Sequence, residues 1–275
     1  MASPPIIDLN ARTKRRSKKT ILLAPVKMTH AQELTLYSIY LRVLKLWEEA
    51  AQRIASAYGS SLDNDGPSNG PGDAAREIDA TAVQAQTLMI LLPTILATWA
   101  SRAEKVHQVK WVRTVMAATK VDIGPMLAPS DMTAILKASA DWNAALVKDV
   151  SGQIQRQISN IVFSGFQSKT SVYEVAKEIN KTTGIARRRA RNVAYDQINK
   201  LGAALNRARR EQAGIDSYMW QHSAKLHARP THLARNGMIF KNNDPRIPKG
   251  DRCSEPPFCG CHERAVIPAR QEVVA

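Results

Sequence analysis

Residues 220–237, WQHSAKLHARPTHLARNG, bring His222, His227 and His232 into one polar stretch, and Cys253, Cys259, Cys261 and His262 follow within thirty positions. Imidazole and thiolate are the ligands zinc prefers, and structural zinc sites are commonly closed by two chain segments that the metal ties together. His232, or His227 before it, could supply one side, and Cys253, Cys259, Cys261 and His262 the other. The favoured set is His232, Cys259 and Cys261, completed by Cys253 or by His227, holding a structural zinc. The alternative is that His232 bonds a backbone carbonyl while the cysteines remain buried, inert thiols. Catalytic pairings are poorer. Ser223 adjoins His222 and Cys261 adjoins His262, but neighbours on a strand point to opposite faces. The sequence has no Walker loop, no His-Glu-x-x-His and no acidic cluster suited to two-metal chemistry. No enzymatic turnover is expected, and a zinc-dependent hydrolase or toxin-like enzyme is the most distant alternative.

The segment that must position these groups is poor in apolar residues. SYMWQH, MIF at 238–240 and RAVIP at 264–268 read as short strands between polar loops. So little apolar material requires a staple or packing against other elements. Trp220, at the head of a strand, is expected to be a core anchor with its indole N–H bonded. Arg229, held extended before Pro230, is expected to form a local salt bridge.

The rest of the chain is helical in pattern, so the expected fold is mainly α: a long helical body with a small, loop-rich C-terminal α+β end. Residues 1–28, with KRRSKK at 14–19, read as a flexible basic tail. Residues 29–130 form a helical N-terminal region. Thr29 and Gln32 have the spacing of a capping box, and Tyr37, Tyr40, Leu44, Trp47, Ala51, Ile54 and Tyr58 form a heptad seam that must be buried against another helix of this chain or of another subunit. Residues 59–72, dense in Gly, Ser, Asn, Asp and Pro, read as a mobile linker. A second helix from Asp73 to about Thr119 should be kinked or interrupted at Pro93, with Trp99 and Trp111 in the core. Its run LMILLPTILATWA, Leu88 to Ala100, is too short for a bilayer and is expected to be buried. After a break at 121–130, with Ser130 as the next N-cap, residues 131–270 form the last domain. It opens with Ile135, Trp142, Leu146, Val150, Ile154, Ile158 and Ile161 at helical spacing, then a short helix ending near Gly184, then a basic helix ending at Gly214.

Lys plus Arg outnumber Asp plus Glu by 39 to 24, giving a net charge of +15 and a pI near 10.0, which favours a polyanionic neighbour such as DNA or an acidic protein surface. Arg187, Arg188, Arg189, Arg191, Arg207, Arg209 and Arg210 are the expected contacts. The odd cysteine count, with no apolar leader at the start, argues for a reducing cytosol.

Taken in order, ARRRARNVAYDQINKLGAALNRARREQAGI, YMW at 218–220, Arg229-Pro230-Thr231-His232, Asn236-Gly237-Met238-Ile239-Phe240, Cys259-Gly260-Cys261 and AVIP resemble the phage head-morphogenesis family typified by the Mu F protein. The resemblance covers roughly residues 150–270. Trp220, Arg229, His232, Gly237, Cys259 and Cys261 match the family pattern; Lys225 and His227 stand where many members have Asp and Arg, and Tyr195-Asp196 stands where Arg-Thr-Glu is usual. The resemblance implies a minor head protein of a tailed phage or prophage, acting in head assembly at or near the portal vertex. It would have portal and capsid proteins as partners, an oligomeric assembly and no membrane, and it would be located in the procapsid or virion after assembly in the host cytoplasm. A nucleic-acid-binding protein acting on packaged or injected DNA is the alternative function.

Overall fold

A computed structural model describes residue 9 and residues 20–63, 71–127 and 132–269. The basic run 14–19, the proposed cap Ser130 and the middle of the 59–72 stretch lie outside the described residues. The fold is mainly α. Four long helices, α1 (His30–Asp63), α2 (Gly72–Thr119), α3 (Thr133–Gln167) and α4 (Val172–Gln212), are accompanied by a 3-10 turn at Gly124–Met126 and a one-turn helix α5 (Pro230–Ala234). Four short strands, β1 (Ile21–Leu22), β2 (Ser217–Gln221), β3 (Ile239–Lys241) and β4 (His262–Ile267), form one antiparallel sheet in the order β1-β4-β2-β3. The chain divides into two compact units: one of residues 34–99 and 140–194, the other of residues 1–33, 100–139 and 195–275.

The first unit is built on the heptad seam. Leu44, Trp47, Ala51, Ile54 and Tyr58 are buried, and their partners lie in the same chain. The Trp47 indole donates to Ser151 Oγ at 2.9 Å, Tyr40 bonds Asn143, and the Tyr58 hydroxyl donates to the Thr170 carbonyl at 2.7 Å. The α3 face that meets the seam carries Asn143, Val147, Val150, Ser151, Ile154 and Ile158. This face is shifted from the expected one, so Trp142 is 58% exposed. The α3 helix ends in a left-handed Lys169 (φ 51°), with the Thr170 N–H reaching back to the Gly165 carbonyl.

Three expectations need correcting. Helix α4 runs through Gly184 without a break; outside the helix's own backbone nothing lies within 4 Å of where a Cβ would stand, and a glycine inside a helix costs only about 1 kcal/mol against alanine. Helix α2 runs through Pro93, which is exposed, so the helix is not interrupted there. The run Leu88–Ala100 is buried on one side only: Leu92, Leu96 and Trp99 are covered, while Ile90 is 77% and Leu91 57% exposed. By length and composition α2 could cross a membrane, with an 18-residue window of mean hydropathy 1.5, of which 28% is buried.

In the second unit the start of α1 is capped as its sequence requires. Thr29 N–H and hydroxyl both donate to Gln32 Oε1, and the Gln32 N–H donates to Thr29 Oγ1. The core of this unit gathers Leu23, Val26, Trp111, Val115, Ile123, Ile215, Ala265 and Ile267. β1 pairs with β4 at Ile21↔Ile267 and Leu22↔Val266, and β2 pairs with β4 from Ser217↔Val266 to Gln221↔His262. The turn out of α4 uses Gly214 at φ 67°, with the Ile215 N–H on the Arg210 carbonyl.

Candidate metal centre

The ligand side chains are delivered by two local devices. Arg229 is extended (φ −67°, ψ 130°), as a residue before proline must be, and Pro230 opens α5 at a position where its missing N–H has no intrahelical partner to lose. The single turn then directs His232 inward, where it is 2% exposed. From the other side comes the loop before β4. Ser254 and Phe258 take left-handed φ of 62° and 57°, strained for non-glycine residues, and the Phe258 N–H is anchored on Asp196 Oδ1 at 2.6 Å. A Cβ at Gly260 would lie 3.0 Å from both Ser223 Cβ and Lys225 Cε. The Cys-Gly-Cys step therefore passes the 223–225 loop with little room for a side chain.

These devices bring His232, Cys259 and Cys261 together. Nδ1 of His232 lies 3.5 Å from Cys259 Sγ and 3.6 Å from Cys261 Sγ, and the three atoms all fall within 4.8 Å of one another. Bond lengths of about 2.3 Å for zinc–sulfur and 2.0 Å for zinc–nitrogen in a tetrahedron give ligand–ligand edges near 3.6 Å, so the donor atoms fit a zinc-sized ion. Both cysteines are buried, in a cluster with Tyr218, Trp220, Phe240, Ile247 and Cys253. Such a buried donor set can hold a soft or borderline cation.

The electrostatics favour one thiolate. The Cys261 thiol bonds the Cys259 sulfur, which also accepts the backbone N–H groups of Cys261 and Ser254; against the opposing effect of burial, these hold Cys259 down to about 5. The same contact and burial push Cys261 up, and burial pushes Cys253 well up. On its far side His232 Nε2 bonds Asp251 Oδ1 at 2.9 Å, and Arg235 Nη1 donates to Asp251 Oδ2 at 2.6 Å. Burial raises the Asp251 carboxyl, but the bonds from His232 and Arg235 outweigh it and hold the group low. Spacing singled out neither Asp251 nor Arg235; a search for a carboxylate to orient a ligating imidazole would have been the signal.

The remaining sequence candidates fall elsewhere. Cys253 is fully buried beside the set, yet its sulfur is not among the three convergent atoms. His227 is exposed. His262 is half-buried and lowered to about 4 by burial, with Lys27 and Lys225 adding to it. His222 Nδ1 accepts the Ala224 N–H. Arg229 forms a different bond from the expected salt bridge: it donates to the Pro257 carbonyl at 3.0 Å and so ties α5 to the cysteine loop. Trp220 is the expected anchor, 0% exposed, with its ring edge-on to His232 at 4.8 Å. Its indole N–H, however, has no partner among the described residues. Gly237, at φ 80°, turns the chain into β3 and donates its N–H to the Trp220 carbonyl.

The arginines divide into two groups. Arg187, Arg188, Arg189 and Arg191 are exposed on α4. Arg209 and Arg210 are buried, at 0% and 1%, and cannot reach a polyanion. Arg209 pairs with Glu104; Arg210 donates to Glu263 at 2.6 Å and stacks over Tyr218 at 4.9 Å. Arg207 is largely covered and pairs with Glu255 at 2.9 Å and Glu263 at 3.6 Å. These three are corrected from partner contacts to internal ion pairs, because each is covered and meets a carboxylate distant in sequence; Arg187 also pairs, with Glu48 at 3.4 Å, but stays half exposed.

Comparison with known proteins bears on the same stretch. A curated protein of Haemophilus influenzae, described as an uncharacterized protein, is 28% identical over 157 residues, which is 57% of this chain and 35% of that protein's length. No solved structure matches the chain. The family described as Phage Mu protein F like protein matches over residues 156–264. That span encloses α5, all three cysteines and His232, so the segment that builds the cluster is Mu F-like, in agreement with the resemblance carried by its own residues.

Proposed function

We propose that this chain is a minor head protein of a tailed phage or prophage, acting in head assembly at or near the portal vertex without enzymatic turnover. Its partners are portal and capsid proteins, it acts as part of an oligomeric assembly, and it resides in the procapsid or virion after assembly in the host cytoplasm. Its head-morphogenesis domain is taken as residues 131–270, after a basic N-terminal segment (1–28), whose Ile21–Leu22 strand joins the sheet, and a helical region (29–130). The observation that carries this function is the Mu F-like match over residues 156–264, enclosing a closed His232–Cys259–Cys261 cluster. In it the cluster serves as a structural clamp for zinc, built on His232, Cys259 and Cys261, with Cys253 or His227 as the expected completion. When bound, zinc supplies a cross-link between two segments and no turnover chemistry. Mass spectrometry of procapsids and virions, with and without a disrupted reading frame, tests the proposal. The protein should co-purify with heads, and its loss should lower the yield of DNA-filled particles; absence from both particle types together with unchanged yield would overturn it.

The exposed Arg187, Arg188, Arg189 and Arg191 favour a second role, contact with packaged or injected DNA. Binding to duplex DNA should then fall with salt at a log–log slope of about −0.9 per phosphate neutralised. No measurable affinity at low salt would leave these arginines to an acidic protein surface.

A further inference from the structure

The imidazole at the cluster has two different neighbours. Nδ1 faces the sulfurs of Cys259 and Cys261, and Nε2 lies 2.9 Å from Asp251 Oδ1. An ionised carboxylate only accepts hydrogen bonds. Paired with the Arg235 guanidinium through its other oxygen, Asp251 faces Nε2 as such an acceptor. Nε2 is then the nitrogen bonded to Asp251, and Nδ1 is the one turned towards the sulfurs. The second oxygen of Asp251 is occupied as well: Arg235 Nη1 reaches Oδ2 at 2.6 Å and the Asp251 carbonyl at 3.3 Å. Arg235 is held in turn by its guanidinium lying 5.1 Å from the Trp220 ring, and Trp220 meets the His232 ring edge-on. The chain Trp220–Arg235–Asp251–His232 thus closes on itself, and each link restricts the rotation of the next.

We propose that Asp251, locked by Arg235, is the positioning residue of this centre. It fixes the tautomer and ring orientation of His232 so that Nδ1 is presented as a metal ligand beside Cys259 and Cys261. This role rests on the metal clamp proposed above and adds to it the residues that set its affinity. Partners of this kind typically change metal affinity by about 10–100-fold. Asp251 differs from a merely structural residue in controlling which imidazole nitrogen carries the proton.

The test uses the full chain. Zinc affinity is measured by competition with a chromophoric chelator, and the His232 tautomer by nitrogen-15 resonance of the metal-free protein, for the wild type and for Asp251→Ala, Asp251→Asn, Asp251→Glu and Cys259→Ser. The wild type should bind one equivalent of zinc, and Cys259→Ser should lose it. Asp251→Ala should keep the stoichiometry, bind about 10–100-fold more weakly and show both His232 tautomers, with Asp251→Glu recovering part of the affinity. Should Asp251→Ala fail to fold, the isosteric Asp251→Asn takes its place with the same two readouts. Wild-type affinity together with a single Nε2–H tautomer in the variant would overturn the positioning role and leave the clamp standing. A wild-type chain that takes up no zinc would remove both.

Discussion

Two buried tryptophans show how differently the two units are held. Trp47 sits in the α1 seam among leucines, isoleucines and alanines, and its one polar atom is satisfied by Ser151. Trp220 sits in a cluster with Tyr218, Phe240, Ile247 and the cysteines, against the His232 ring and the Arg235 guanidinium, and its indole nitrogen has no partner among the described residues. In the first setting apolar area does the work and hydrogen bonds finish the fit. In the second, a smaller cluster of rings and sulfur is joined by directional contacts: Arg210 with Glu263, Arg209 with Glu104, Asp251 with His232 and Arg235. The comparison teaches that arginines can be buried as deeply as a helical seam when each guanidinium meets a carboxylate.

Breaking one contact on each side gives the largest effects. Glu263→Ala leaves Arg210 and Arg207 with a shared partner removed, and losing one member of a buried pair costs about 3–5 kcal/mol. Trp47→Ala opens a cavity and strands Ser151, at about 3–5 kcal/mol. Denaturant unfolding followed by amide exchange should find the first loss centred on residues 195–267 and the second on residues 34–99 and 140–194. Losses spread evenly over both sets would break the contrast.

A smaller effect comes from acid. His107 is 1% exposed, and its pKa is lowered to about 4 from 6.5, by burial first, with Arg209 and Lys110 adding and the Asn206 bond opposing. Between those values the unfolded chain binds a proton that the folded chain does not. Stability therefore falls as pH drops from 6.5 towards 4, by up to roughly 3 kcal/mol. Melting curves across that window should flatten in His107→Gln; an unchanged pH profile would assign the acid sensitivity to other groups. The smallest effect belongs to Arg53 and Glu77, paired at 3.2 Å with side chains 49% and 37% exposed. Arg53→Ala should cost under about 1 kcal/mol, and a larger measured loss would mean that exposed pairs also support the helical unit.

The seam was legible because buried apolar positions on a helix repeat, and Leu44, Trp47, Ala51, Ile54 and Tyr58 keep that repeat without interruption. The three core strands were legible from β-forming residues between turn residues. β1 was not, since two residues inside a basic tail carry no period; only its pairing with Ile267 and Val266 makes it a strand. His232, Cys259 and Cys261 could be chosen from their chemistry. Asp251 could not, because one aspartate in a Lys-Gly-Asp-Arg loop looks like any turn residue. Arg209 and Arg210 were misread for a related reason. An arginine run on a helix signals solvent unless its carboxylates are known, and Glu104 and Glu263 lie far away in sequence.

The pairing of β1 with β4 also imposes an order in time. Residues 34–99 and 140–194 are all synthesised before residue 200, whereas the sheet needs both Ile21 and Ile267. Its closure is a long-range event that must await the last strand to leave the ribosome. During that interval the cysteine loop has no finished sheet beside it and its thiols stand open to solvent. Chains truncated after residue 261 and released from the ribosome should therefore react with a thiol probe at Cys253 and Cys259, and chains that include β4 should not; protection of the thiols in the truncated chain would mean that the loop is shielded before the sheet closes.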